Sequence, residues 1–128
     1  VKLLVDTRLL LWAAGASARL PTIARALLED RQNTPTFSAA SLREITFKAG
    51  LGRPDFRVEP TLLRRGLLDN GWQELPVSSA HAAAVAQLPP LHRDPFDRLL
   101  LAQATVEGML PLTADAALAD YPGPIRRV

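Results

Sequence analysis

Cysteine is absent from the 128 residues. This excludes a disulfide framework, a thiolate metal site and a cysteine nucleophile, and it suits a reducing cytoplasm. Lysine is scarce: Lys2 and Lys48 stand against thirteen arginines. The net charge of +2 is too mild to identify a nucleic-acid partner by itself. Seven aromatics (four Phe, two Trp, one Tyr) leave a core built mainly from Leu and Ala. No apolar run is long enough to span a bilayer, because Asp6 and Arg8 interrupt the opening VKLLVDTRLLLWAAG. No internal repeat, Gly-rich phosphate loop, HExxH or Ser-His-Asp arrangement is visible.

What is present fits one domain, residues 1–128. Strand and helix signals alternate along it. Lys2–Asp6 reads as a buried strand and Thr7–Ala14 as a helix stopping at Gly15. Pro21 begins a helix with Ile23, Ala26 and Leu27 on its apolar side. Thr34–Phe37 is a short strand, and Ser38 or Ser41 caps a helix carrying Leu42, Ile45 and Ala49. A helix over Thr61–Asp69, a strand over Trp72–Val77 and a helix from Ser78 or Ser79 through Leu88 follow. After HRDPFDRLLLAQA come a strand at Met109–Thr113, a short helix at Asp115–Asp120 and a last strand at Pro124–Val128. The pattern predicts an α/β fold with a short, mainly parallel sheet of about four to five strands flanked by helices.

In such sheets ligands bind beyond the carboxyl ends of the strands. That selects four of the thirteen acidic residues. Asp6 ends the first strand, Glu44 lies early in the helix after the second, Asp97 opens the helix after HRDP, and Asp115 follows a late strand. Each has an ordinary alternative. Asp6 and Asp115 can cap the helices that follow them, Glu44 can be solvated or paired with an arginine, and Asp97 suits a helix dipole. Asp94 before Pro95 reads as an N-cap. Together, converging carboxylates repel one another and need a divalent cation, for which Mg²⁺ or Mn²⁺ suits an oxygen-rich site. His81 reads as a packing or surface residue. His92 reads as a loop residue with a lesser option of touching substrate.

Four stretches in order, LLVDTRLLLW at 3–12, SAASLREITFKAGLG at 38–52, LPPLHRDPFDRLLLAQA at 88–104 and LTADAAL at 112–118, resemble the PIN-domain nucleases, specifically the VapC-like toxins of bacterial toxin–antitoxin pairs. The resemblance implies a catalytic acidic set of Asp6, Glu44, Asp97 and Asp115. Asp6 and Asp97 would be the principal Mg²⁺ or Mn²⁺ ligands, with Thr7 and Thr113 in support. It implies metal-assisted hydrolysis of structured RNA such as tRNA or rRNA, a cognate antitoxin partner and a homodimer, with no membrane association. Arg8, Arg43, Arg93 and Arg98 lie near these motifs and are candidate phosphate contacts.

Relatives of this style often carry His where this chain has Arg8, and Trp where it has Arg43. Either arginine would bind RNA, or pair with Glu44 and weaken metal affinity. The aliphatic positions in 9–12 and 42–51 offer partner contacts or core packing. Two other readings compete: an inactive PIN-like module that binds antitoxin or RNA, and a phosphoacceptor receiver domain. The receiver is disfavoured because Thr7, not a second acid, follows Asp6, and no lysine ends a late strand.

Overall fold

Leu3, Leu4 and Val5 are almost completely covered. Successive strand residues point to opposite faces, so an unbroken apolar run is buried only when helices pack on both sides. The computed structural model describes residues 1–128 and has that architecture. Strands β1 (Lys2–Val5), β2 (Thr34–Ser38), β3 (Gln73–Leu75), β4 (Leu110–Thr113) and β5 (Arg126–Arg127) form one sheet. All its pairings are parallel, in the order β3-β2-β1-β4-β5. Helices α1 (Thr7–Ala14), α2 (Thr22–Glu29), α3 (Ala39–Gly50), α4 (Pro60–Asp69), α5 (Ser79–Ala84), α6 (Pro95–Glu107) and α7 (Ala116–Ala119) surround it. Leu3 and Val5 pack with Leu9, Leu10, Phe37, Ile45, Leu63 and Leu67 on one face, while Leu4 meets Leu75, Leu100, Ala104 and Met109 on the other.

The strand order creates the crevice that matters for function. From β1 the chain moves outward to β2 and β3, then returns across β1 to β4. The connections after β1 and β4 therefore leave in opposite directions, which opens the sheet edge between them.

Several expected elements are shifted. β3 is shorter than Trp72–Val77, because Pro76 has no N–H for the ladder. The helix expected through Leu88 ends at Ala84 and tightens into a 3₁₀ turn, Val85–Gln87. The Arg98 guanidinium draws in the carbonyls of Val85, Leu88 and Pro89 there. On α2 the inward stripe is Ala24, Leu27 and Leu28, not Ile23, Ala26 and Leu27, and Ile23 is exposed. Both triplets have helical spacing, and tertiary packing places Ala24, Leu27 and Leu28 against the core. Leu9, Leu10 and Leu11 belong to the core, so within 9–12 the aliphatic side chains are packing residues. In 42–51, Phe47 and Leu51 are exposed. No helix is long and apolar enough to cross a membrane.

Candidate active site

Asp6 leaves β1 with its N–H bonded to the Leu112 carbonyl, at the crevice between β1 and β4. It caps α1 through the N–H of Leu9, 2.9 Å from Oδ1, and accepts the Thr113 hydroxyl at Oδ2. Capping and presence in the site therefore coincide in one residue. Burial pushes its carboxyl above the usual range, partly opposed by the hydrogen bonds from Thr113, Leu9 and Ala114, with Glu44's charge adding to the rise.

Glu44 enters from α3, whose N-cap is Ser38. It is 3% exposed, and neither of its oxygens is unpartnered. Oε1 lies 2.6 Å from the Thr7 hydroxyl and Oε2 lies 2.6 Å from Lys48 Nζ. Thr7 Oγ1 is also 2.9 Å from Ser41 Oγ. Thr7 has one hydroxyl proton and a carboxylate only accepts, so Thr7 donates to Glu44 and the Ser41 hydroxyl donates to Thr7. Ser41 thus supports the site from within α3, while Ser38 does the capping.

Asp94 and Asp97 divide the work at the start of α6. Asp94 Oδ1 accepts the N–H groups of Phe96 and Asp97, with Pro95 in the first helical position. Its Oδ2 is 2.9 Å from Lys48 Nζ, a second role that the capping expectation did not include. Burial alone would raise the Asp94 carboxyl. The Lys48 hydrogen bond and charge, with the two N–H groups, outweigh burial and hold it below the usual range. Asp97 is pushed up to about 7, first by burial and then by the charges of Asp94, Glu44 and Asp6, against the His92 hydrogen bond. His92 Nε2 is 2.8 Å from Asp97 Oδ2 and 3.9 Å from Asp115 Oδ2. Asp115 caps α7 through Ala117 N–H, and its own N–H bonds to Thr113 Oγ1.

Asp6, Glu44, Asp94, Asp97 and Asp115 line one pocket of about 420 Å³, together with Thr7, Arg8, Trp12, Lys48, Arg53, Phe56 and His92. Thr113 stands behind it, holding Asp6. Ligand atoms of His92, Asp97 and Asp115 lie within 4.8 Å of one another, as do those of Glu44, Asp94 and Asp97. This donor set, carboxylate oxygens with one imidazole, fits Mg²⁺ or Mn²⁺.

The arginines separate by position. Arg8 lines the pocket and is 3.7 Å from Asp55, which Arg53 approaches at the same distance from the other side. Arg43 is exposed and stands over the Phe47 ring. The feared pairing of Arg8 or Arg43 with Glu44 does not occur, because Lys48, one helical turn after Glu44, takes that place. Arg93 is exposed and, like Arg43, does not line the pocket. Arg98 faces away from it, binding Pro89 O and the Tyr121 hydroxyl besides Val85 O and Leu88 O. Four acceptors on one guanidinium make Arg98 a tether for the segment before α6, which corrects its reading as a phosphate contact. Arg98→Ala is expected to cost about 1–3 kcal/mol of stability, read as a lower urea midpoint with an unchanged slope.

Sequence reasoning missed Lys48, Arg53, Ser41 and the second role of Asp94, and it gave His92 too little weight. The i,i+4 spacing of Glu44 and Lys48 was the available signal. The others meet only through long-range packing.

The family model described as the PIN domain matches residues 3–124. The fold is similar to that in the VapBC2 structure of Rickettsia felis bound to a promoter DNA fragment, with a TM-score of 0.72 at 16% identity, covering 98% of this chain and 97% of that one. It is similar to DNA-bound VapBC of Salmonella typhimurium, with a TM-score of 0.65 at 16% identity over 100% and 97% of the two chains. A domain of a functionally unknown protein from Methanocaldococcus jannaschii gives a TM-score of 0.55 at 17% identity over 91% and 80%. No curated protein matches by sequence.

Proposed function

This chain belongs to the PIN domain family, and from that premise we propose that it is a Mg²⁺- or Mn²⁺-dependent endoribonuclease of the VapC type, restrained by a cognate antitoxin. The observation that carries the reading is the convergence of five carboxylates from four segments on one pocket at the crevice of the sheet. Lys48 meets only two of them.

Asp97 and Asp6 are the principal metal-holding residues in this reading, with Asp115 and Glu44 completing the acidic pocket directly or through waters. A bound divalent ion would neutralise these acids, polarise the phosphodiester and acidify the attacking water. The protein's own residues prepare that chemistry. Thr113 and the Leu9 N–H fix the Asp6 carboxylate, and Thr7 fixes Glu44. His92 holds Asp97 by Oδ2. Arg8 and Arg53 share the single carboxylate of Asp55 at the pocket wall, so their surplus charge suits an RNA phosphate.

The antitoxin has an apolar seat available. A groove of about 610 Å³ runs between α1, α2 and α4 and is lined by Leu11, Leu28, Leu62, Leu63 and Trp72. Exposed Phe47 and Leu51, with the Phe96 ring tilted against Phe47 at 5.9 Å between centroids, offer a patch for homodimer contact. One observation favours a second reading, a binding module without cleavage: the Lys48 ammonium already neutralises part of the pocket.

The test is incubation of the purified chain with structured cellular RNA and Mn²⁺ or Mg²⁺. Discrete cleavage abolished by EDTA is expected. Intact RNA with folded, metal-loaded protein would select the binding module.

A further inference from the structure

Two groups of ligand atoms share Asp97. One contains His92 and Asp115, and the other Glu44 and Asp94. They are not equivalent. The second already holds a cation at two of its three carboxylates: Lys48 Nζ lies 2.6 Å from Glu44 Oε2 and 2.9 Å from Asp94 Oδ2. The ammonium is held from a third direction by the Phe56 ring, 5.1 Å from its centroid, and the side chain is only 15% exposed. Glu44 and Lys48 are one turn apart on α3, and Asp94 is fixed as the cap of α6. Helix geometry sets this arrangement, in contrast to a mobile surface pair.

Resting on the metal-dependent reading above, we infer that Lys48 permanently occupies the second cation position of the pocket, so each chain takes one divalent ion, on the side where His92, Asp97 and Asp115 meet. A second ion at Glu44, Asp94 and Asp97 would have to displace a buried ammonium from two carboxylates. It would otherwise lie against a like charge in a site poorly screened by solvent. Lys48 is thus a positioning residue. It keeps Glu44 and Asp94 folded inward without a metal and restricts the ion to the side that His92 borders.

The experiment counts Mn²⁺ bound to the purified full chain by calorimetry and electron paramagnetic resonance, for the wild type, Lys48→Met and Lys48→Arg. One ion per chain is expected in the wild type and in Lys48→Arg. Lys48→Met is expected to bind two, with an exchange-coupled Mn²⁺ pair in its spectrum. If Lys48→Met does not fold, Lys48→Gln serves instead, with the same expectation of two ions.

Two coupled ions in the wild type, or a single ion in folded Lys48→Met or Lys48→Gln, would overturn the proposal. One ion in the wild type and two in Lys48→Met, without RNA cleavage, would overturn only the nuclease reading. A wild type that binds no Mn²⁺ would overturn both.

Discussion

Asp97→Asn is expected to lower RNA cleavage about a thousandfold or more, a loss of roughly 4 kcal/mol of transition-state stabilisation, while making the metal-free protein more stable above pH 7. The two effects have one cause. Asp97 is half-buried beside Asp94, Glu44 and Asp6, and its carboxyl is pushed up to about 7. Ionising it without a counter-ion is unfavourable for the fold, yet the ionised form is the one a divalent cation needs. Asparagine keeps the size and still accepts a hydrogen bond from His92, so the α6 terminus, capped by Asp94, is preserved. A variant that lost both cleavage and stability would have been disrupted, and its inactivity would say nothing about metal holding. Cleavage under single-turnover conditions and thermal melts at pH 8, run on one preparation, read both effects.

The second large effect is a pH-dependent stability that metal removes. A carboxyl raised in the folded state gives stability that is full below its unfolded value near 4 and is lost as pH rises through its folded value. For Asp97 the loss therefore runs up to and through about pH 7. Asp6 is raised as well, chiefly by burial, and acts in the same sense. Asp94 acts oppositely: its carboxyl is lowered, so its contribution is present above pH 4 and disappears in acid. The metal-free protein should be most stable in mildly acidic solution and lose on the order of 5–10 °C in Tm by pH 8, at a few degrees per kcal/mol for a domain of this size. Saturating Mn²⁺ should restore most of that loss at pH 8 and add little at pH 5.5, where protons compete for the ligands. A metal increment equal at both pH values would show that Asp97 is not a ligand. Melts with Asp97→Asn check the assignment, since its metal-free curve should be flatter across this interval.

How far the sequence alone could be read follows from the range of the interactions. β1 and its terminal Asp6 were legible because a hydrophobic run ending in an acid is a local pattern, and the DPFD stretch because capping chemistry spans four residues. The parallel sheet followed from alternation of elements. The inward face of α2 was not legible: two triplets satisfied helical spacing, and the choice between them lies in tertiary packing. Arg98 was misread because its acceptors are carbonyls of a turn whose path depends on that arginine. The Glu44–Lys48 spacing was visible, but Asp94, 46 residues away from Lys48, completes the triad only when α3 and α6 meet. His92 was noticed as a loop residue. Its contact with Asp97 depends on how the Leu88–Asp94 segment turns back on α6.

The most direct measurement places Mn²⁺ occupancy and RNA cleavage on one axis, titrating the metal into wild type and Asp97→Asn and following both in the same samples. Wild-type cleavage is expected to rise in proportion to occupancy of the carboxylate pocket, and Asp97→Asn to lose binding and cleavage together. Cleavage by Asp97→Asn with no Mn²⁺ bound, or full Mn²⁺ binding by that variant, would contradict this expectation.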